Sequence, residues 1–198
     1  MKKTSVNGPE ALALFEIDGI ARAMVCHDVA LKRAAVEVFA CAPISPGRSI
    51  LIFGGCIADV EESLQAVDEA VGSRQVDRLY LPQVHQDVFH ALQAERKPRN
   101  TEALGIFELA SVAASIESAD AAVKNAAVFI GRLHAATGFG GKGYFTVCGS
   151  QSDVEAAAES VALLGGDRVL DTELIAAPHA ELDLASFKRP WPLDPAGV

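Results

Sequence analysis

The chain states one pattern twice. Glu10 to Val36 returns ninety-two positions later as Glu102 to Val128, with twelve identities in twenty-seven aligned positions. After a two-residue shift the echo continues: Gly47-Arg48 matches Gly141-Lys142, Gly55 matches Gly149, Asp59-Val60-Glu61 matches Asp153-Val154-Glu155, and His85 matches His179. The added pair falls in a glycine-rich stretch near Phe139 and Gly140, where an insertion disturbs neither strand nor helix. A repeat of this length makes the 198 residues two copies of one domain, each of ordinary small-domain size. The boundaries follow as a first domain at 10–94, a linker at 95–101, a second domain at 102–187 and a tail at 188–198. The linker is charged and broken by Pro98, and the tail carries Trp191 among prolines.

Two small domains have little interior, yet half the residues are apolar and the mean hydropathy is +0.23. Interfaces between domains or subunits are therefore expected to bury apolar surface, and an oligomer is expected. A net charge of -9, with no cluster of basic residues among aromatics, argues against nucleic acid as a partner. No apolar run is long enough to span a membrane, and Met1-Lys2-Lys3-Thr4 is not followed by an apolar segment of signal-peptide type, so a cytosolic protein is expected. Cys26, Cys41, Cys56 and Cys148 show no C-x-x-C spacing and read as buried thiols.

Periodicity supplies the elements. Ala11 to Ile17 is an apolar run of strand length, and Asp18 stands where it could cap the helix that follows from Ile20 to about Ala35. Strands are expected at 36–42, 50–53 and 76–81, with helices at 57–71 and 84–94 and a tight Ser45-Pro46-Gly47 turn between the second and third strands. The second half repeats the order: strand 103–109, helix 111–126, strand 128–135, loop 137–142, strand 143–148, a helix to Leu164 opened by a Ser150/Asp153 capping box, strand 169–175, and a short helix after Pro178. Each half is β-α-β-β-α-β-α, an α+β layer in which two helices cover one face of a small sheet.

In this order, the Glu102-to-Glu108 run, the helix with Ala119-Asp120-Ala121-Ala122-Val123-Lys124, the Gly-Lys loop before an apolar strand, and Gly149 with Asp153-Val154 resemble the bacterial microcompartment shell domain, a ferredoxin-like fold. Two copies in one chain resemble the tandem-domain shell proteins. The resemblance covers roughly residues 10 to 186, and the element order looks unpermuted. It implies a homotrimer closing a pseudohexameric tile with a central pore, packed against other shell proteins in the shell of a microcompartment in the cytoplasm. It implies no enzyme.

By the same resemblance Ile44, Ser45, Pro46 and Gly47 line the pore, with Thr137, Gly138, Phe139, Gly140 and Gly141 from the matching loop. One branch of tandem shell proteins carries a cysteine at the Ser45 position, where three copies hold an iron–sulfur cluster. A protonated serine hydroxyl is a hard, poor ligand for cluster iron, so no cofactor is expected and Ser45 offers its hydroxyl to a small polar metabolite. Without the resemblance, Ser45 simply starts a turn. Arg48 and Lys142 would favour anionic metabolites if they face the axis.

Lys32 and Lys124, each four residues after an aspartate, read as solvated helix pairs; the resemblance makes them contacts at the tile edge, together with Gln83, His85 and His179. The family's Pro-Arg-Pro-His edge motif stands here as Pro82-Gln83-Val84-His85 and Ala176-Ala177-Pro178-His179, without its arginine. Glu16 and Glu108 are read as strand-end residues accepting backbone hydrogen bonds rather than as a catalytic pair. The five histidines show no ligand spacing, and Lys142-Gly143 fails the P-loop pattern, so metal and phosphate sites are not expected. Two other readings compete with the passive tile: a shell protein that holds an iron–sulfur cofactor or ligand in its pore, and a ferredoxin-like signalling trimer that binds a small ligand between subunits.

Overall fold

A computed structural model describes residues 8–93, 102–135, 140–179 and 182. The chain divides into two compact units, residues 1–89 and 90–198. In the first, β1 (Ala11–Ile17), α1 (Ile20–Arg33), β2 (Glu37–Ile44), β3 (Arg48–Gly55), α2 (Ile57–Val71) and β4 (Gln75–Pro82) precede α3 (Gln86–Gln93). The strands form one antiparallel sheet in the order β2-β3-β1-β4.

The apolar run of β1 dictates its place. All seven residues are buried, so the strand takes an interior position flanked by β3 and β4. Its odd-numbered side chains Ala11, Ala13, Phe15 and Ile17 join Leu51 and Phe53 on one face. They pack against Ala23, Cys26 and Ala30 of α1 and Val60, Leu64, Val67 and Val71 of α2. Burial of the valine, leucine, isoleucine and phenylalanine side chains among them contributes about 1.5 to 3 kcal/mol each, which makes this face the main support of the unit.

The second unit repeats the plan with β5 (Ala103–Leu109), α4 (Val112–Asn125), β6 (Phe129–Ala135), β7 (Gly143–Gly149), α5 (Gln151–Gly165) and β8 (Val169–Ala176), in sheet order β6-β7-β5-β8. Phe107 and Phe145 stack at 4.8 Å in its interior. The expected helix after Pro178 falls almost wholly outside the described residues.

Among the described residues the element order agrees with expectation, and the differences have local causes. β2 runs through Pro43 to Ile44, because an edge strand tolerates a residue that cannot donate to a neighbour. Asp18 does not cap α1. The N-cap is Gly19 at φ 111° with no side-chain cap bond, while the Asp18 backbone is held by its N–H to the Arg74 carbonyl at 2.8 Å and by the Arg74 guanidinium donating to the Asp18 carbonyl at 3.2 Å. Those bonds fix the chain one position too early for the aspartate to reach the helix end. Ser150 does act as expected: its Oγ accepts from the Asp153 N–H at 3.2 Å and bonds the Asp153 carboxylate at 2.6 Å.

Features outside the identity pattern also recur. A bulge interrupts β2 between Val38 and Ala40, and another interrupts β6 between Ile130 and Arg132. Gly72 and Gly166 end α2 and α5 at φ 54° and 51°, in conformations reserved for glycine. Gln83 and Ala177, just past β4 and β8, both take left-handed backbone at φ 58° and 46° without being glycine.

Candidate functional site

The two candidate pore loops close equivalent hairpins. In the first unit Ile44 pairs with Arg48, leaving Ser45-Pro46-Gly47 as the turn, with Gly47 left-handed at φ 69°. Ile44 is buried at the base of the turn, Ser45 is half-buried, and Pro46 and Gly47 are exposed at the tip. In the second unit Ala135 pairs with Gly143 across the longer loop, where Gly140 at φ 64° is exposed and Gly141 at φ 90° is buried. Thr137, Gly138 and Phe139 lie outside the described residues.

Each hairpin is fastened by the basic residue that follows its last loop glycine. The Arg48 guanidinium lies 3.9 Å from the carboxylate of Glu16, which is fully buried, and Lys142 lies 3.6 Å from the carboxylate of Glu108. Both glutamates stand near strand ends, as expected, and each has an ionic partner that the sequence reading did not include. Each carboxylate has a cationic partner because the register that sets Glu16 opposite Ile50, and Glu108 opposite Tyr144, brings alongside Arg48, the first residue of β3, and Lys142, the residue just before β7. It also answers where Arg48 and Lys142 point: onto strand carboxylates that offset their charge. The repeat carried the signal, since a glutamate and a basic residue recur at matched positions in both halves.

The cysteines sit away from the turn. Cys41 lies on the helix-packed face, its Sγ 3.8 Å from the Ala23 carbonyl of α1, and burial pushes its thiol above the ordinary range. Cys26 is raised by burial too, an effect that nearby Arg22 opposes and Cys41 reinforces. A hydroxyl at Ser45 and an inward, protonated thiol at Cys41 do not fit the thiolate donor set of an iron–sulfur cluster. Among the described residues no group of three or more His, Cys, Asp or Glu side chains is placed to hold a metal ion, and no helix is long and apolar enough to cross a membrane.

The candidate edge residues are distributed along each unit. Lys32 reaches Asp28 at 2.6 Å on an open helix face, whereas Lys124 reaches Asp120 at 2.5 Å, an aspartate that is almost fully buried. Gln83 occupies the left-handed turn after β4. His85 opens α3, its Nδ1 accepting from the Asp87 N–H at 3.2 Å and its carbonyl from Val88. His179 is exposed.

Two features escaped sequence reasoning. On the sheet face away from α4 and α5, Arg132 and His134 are buried; His134 stacks on Tyr144 at 5.1 Å and the Arg132 guanidinium sits 5.8 Å from the same ring. The first unit carries Ala40, Ala42 and Ile50 at those positions, so the polar alternation along β6 was the available sign. The other feature is a cavity of about 630 Å³ in the first unit, lined by His27, Leu31, Glu37, Phe39, Cys56 and Phe89 among others. The bulge that presents Phe39 also sets it edge-on to Phe89 of α3 at 4.9 Å.

Comparison with known proteins agrees with this architecture. The BMC domain family matches twice, over residues 11–84 and 103–178. The chain belongs to the BMC domain family. It is 34% identical over 175 residues to the bacterial microcompartment shell protein PduT of Citrobacter freundii, covering 87% of this chain and 95% of that one. The solved structure of a microcompartments protein from Desulfitobacterium hafniense superimposes with a TM-score of 0.79 at 32% identity, covering 85% of this chain and 95% of that one. The fused permuted hexameric shell protein MSM0275 shares the fold at a TM-score of 0.56 and 22% identity, covering 79% of this chain and 86% of that one. The chain is thus a tandem BMC shell protein, a structural component of a bacterial microcompartment shell.

Proposed function

We propose that this shell protein forms a homotrimer whose six BMC domains close a pseudohexameric tile. In this reading residues 10–94 and 102–187 are the two domains, joined by the linker 95–101 and followed by the tail 188–198. The pore is lined by Ile44, Ser45, Pro46 and Gly47 and by the loop Thr137 to Gly141. It passes a small polar metabolite without performing chemistry on it, within the cytoplasm. The supporting observation is the pair of equivalent hairpins, each held to its own sheet by a basic residue on a strand glutamate. Loops fastened alike in both units suit six similar positions around one axis, and neutralised bases leave backbone and hydroxyl groups to meet the solute.

Lys32, Lys124, Gln83, His85 and His179 lie at the tile edge and meet other shell proteins. The missing edge arginine favours a minority place among those proteins rather than a facet built from this chain alone. Co-expression with a complete set of shell proteins tests the role: the chain co-purifies with closed shells, and the Lys32→Ala, Lys124→Ala double variant is recruited less while its own assembly is unchanged. Recovery of the unaltered chain only in the soluble fraction, with shells formed without it, would overturn the proposal.

A further inference from the structure

The cavity of the first unit, about 630 Å³, has the size of a small-molecule site, for which about 300 to 1,000 Å³ is usual. It lies where β2 begins and β3 ends, at the Glu37–Gly54 pair. From there β2 runs eight residues, roughly 24 Å, to Ile44 at the base of the Ser45 turn, so the cavity is a separate place from the candidate pore loop. Four of its lining positions have diverged between the halves. His27, Glu37, Phe39 and Cys56 stand where the second unit carries Ala119, Phe129, Gly131 and Ser150. The aromatic wall depends on a paired exchange of bulk. A Cβ on Gly54 would come within 2.8 Å of the Phe39 ring and 2.9 Å of Pro9, so Phe39 closes in only because Gly54 has no side chain. The second unit reverses both positions, with Gly131 on the outer strand and Cys148 on its neighbour.

The chemistry of the lining sets the class of ligand. Phe39 and Phe89, edge to face at 4.9 Å, supply an aromatic surface, which favours a cation over an anion. Leu31, Val36 and Val38 add apolar surface beside the rings. Glu10 and Glu37 bring two exposed carboxylates to the same cavity. Cys56 donates its S–H to the Asp59 carboxylate at 3.0 Å, which sets a third acid behind the thiol. Among the described residues no lysine or arginine lines the cavity. Aromatic and apolar walls with carboxylates at one side suit a molecule that carries a charged nitrogen on a hydrocarbon body.

We propose that this cavity binds a small organic ammonium ion, its nitrogen held by Glu37 and Glu10 and its hydrocarbon part against Phe39 and Phe89. The site stands apart from the pore loops and is tested without reference to the trimer. Isothermal titration calorimetry of the full chain at neutral pH compares benzylammonium, benzyl alcohol and benzoate, which are similar in shape and differ in charge. Benzylammonium is expected to bind once per chain, with benzyl alcohol about tenfold weaker and benzoate weaker still, because a hydrogen bond to a charged group is worth about one decade in affinity. Glu37→Gln keeps the shape of the side chain; it is expected to weaken benzylammonium about tenfold and to leave benzyl alcohol unchanged. Glu159→Gln, at an exposed position of α5 in the other unit, leaves all three probes unchanged. Glu37 is exposed at the start of β2, so its amide is expected to fold; a variant that loses its circular dichroism is replaced by Glu10→Gln, judged by the same ratio of affinities. Failure of benzylammonium to bind, equal affinity for the three probes, or binding that neither Glu37→Gln nor Glu10→Gln weakens would overturn the proposal. Binding that appears only after removal of residues 2–7 would assign the cavity to Lys2 and Lys3 of the chain itself and overturn it as well.

Discussion

Replacing Arg48 with methionine removes the cation beside Glu16 while keeping an apolar stem of similar length. At 3.9 Å the attraction between the two charges is on the order of 4 kcal/mol at an effective dielectric near 20. The Glu16 side chain is fully buried but that of Arg48 is 35% exposed, so solvent screens part of that energy. Breaking a fully buried pair costs about 3 to 5 kcal/mol; for this half-open one about 2 kcal/mol is expected. Lys142→Met is the matched control. Its partner Glu108 is 48% exposed and Lys142 itself 52%, which limits the loss to below about 1 kcal/mol. Urea unfolding followed by circular dichroism gives both values. Repeating it in about 1 M salt should nearly abolish the Lys142 effect and leave most of the Arg48 effect, because exposed charges are screened far more than buried ones. Equal losses for the two variants, or an Arg48 effect that salt erases, would refute the claim that burial of Glu16 makes the first hairpin depend on its arginine.

Other substitutions test the local geometry. Gly72→Ala and Gly166→Ala should each destabilise by about 1 to 2 kcal/mol in denaturant titrations, since a side chain is strained at φ 54° and 51° even though a Cβ at either position would meet open space. Ser150→Ala should cost about 1 kcal/mol through loss of the α5 cap, whereas Asp18→Ala should cost less because Asp18 caps nothing. Cys26 and Cys41 are raised above 9.0 and Tyr80 above 10.0, burial being the largest cause for each. The folded state therefore prefers their neutral forms. Their contribution to stability is whole below pH 9, and it is lost as pH rises past the unfolded values toward the folded ones, so the urea midpoint should decline from about pH 9 upward. In the native protein a thiol reagent should modify Cys56, which is exposed, long before Cys26.

Much of the architecture was readable because the chain is its own alignment. Strands such as β1 and β5 are apolar runs of the right length, and glycines such as Gly55 and Gly149, or Gly72 and Gly166, punctuate both halves at matched places, so element order followed from pattern alone. What escaped depends on tertiary neighbours. Whether Asp18 caps α1 is decided by its backbone bonds to Arg74, fifty-six residues away. The partners of Glu16 and Glu108 emerge only when antiparallel register sets the starts of β3 and β7 beside them. Arg132 and His134 break an apolar strand in sequence and read as scattered polar residues until Tyr144 is found across the ladder.

The central claim is that three chains bring both hairpin loops to a common axis. A crystal structure of the purified assembly tests it most directly. The account predicts a flat ring of six BMC domains from three chains, with Ser45 and residues 137–141 around an open centre. A ring of any other number of chains, or one that carries the Ser45 turn at its outer rim, would contradict it.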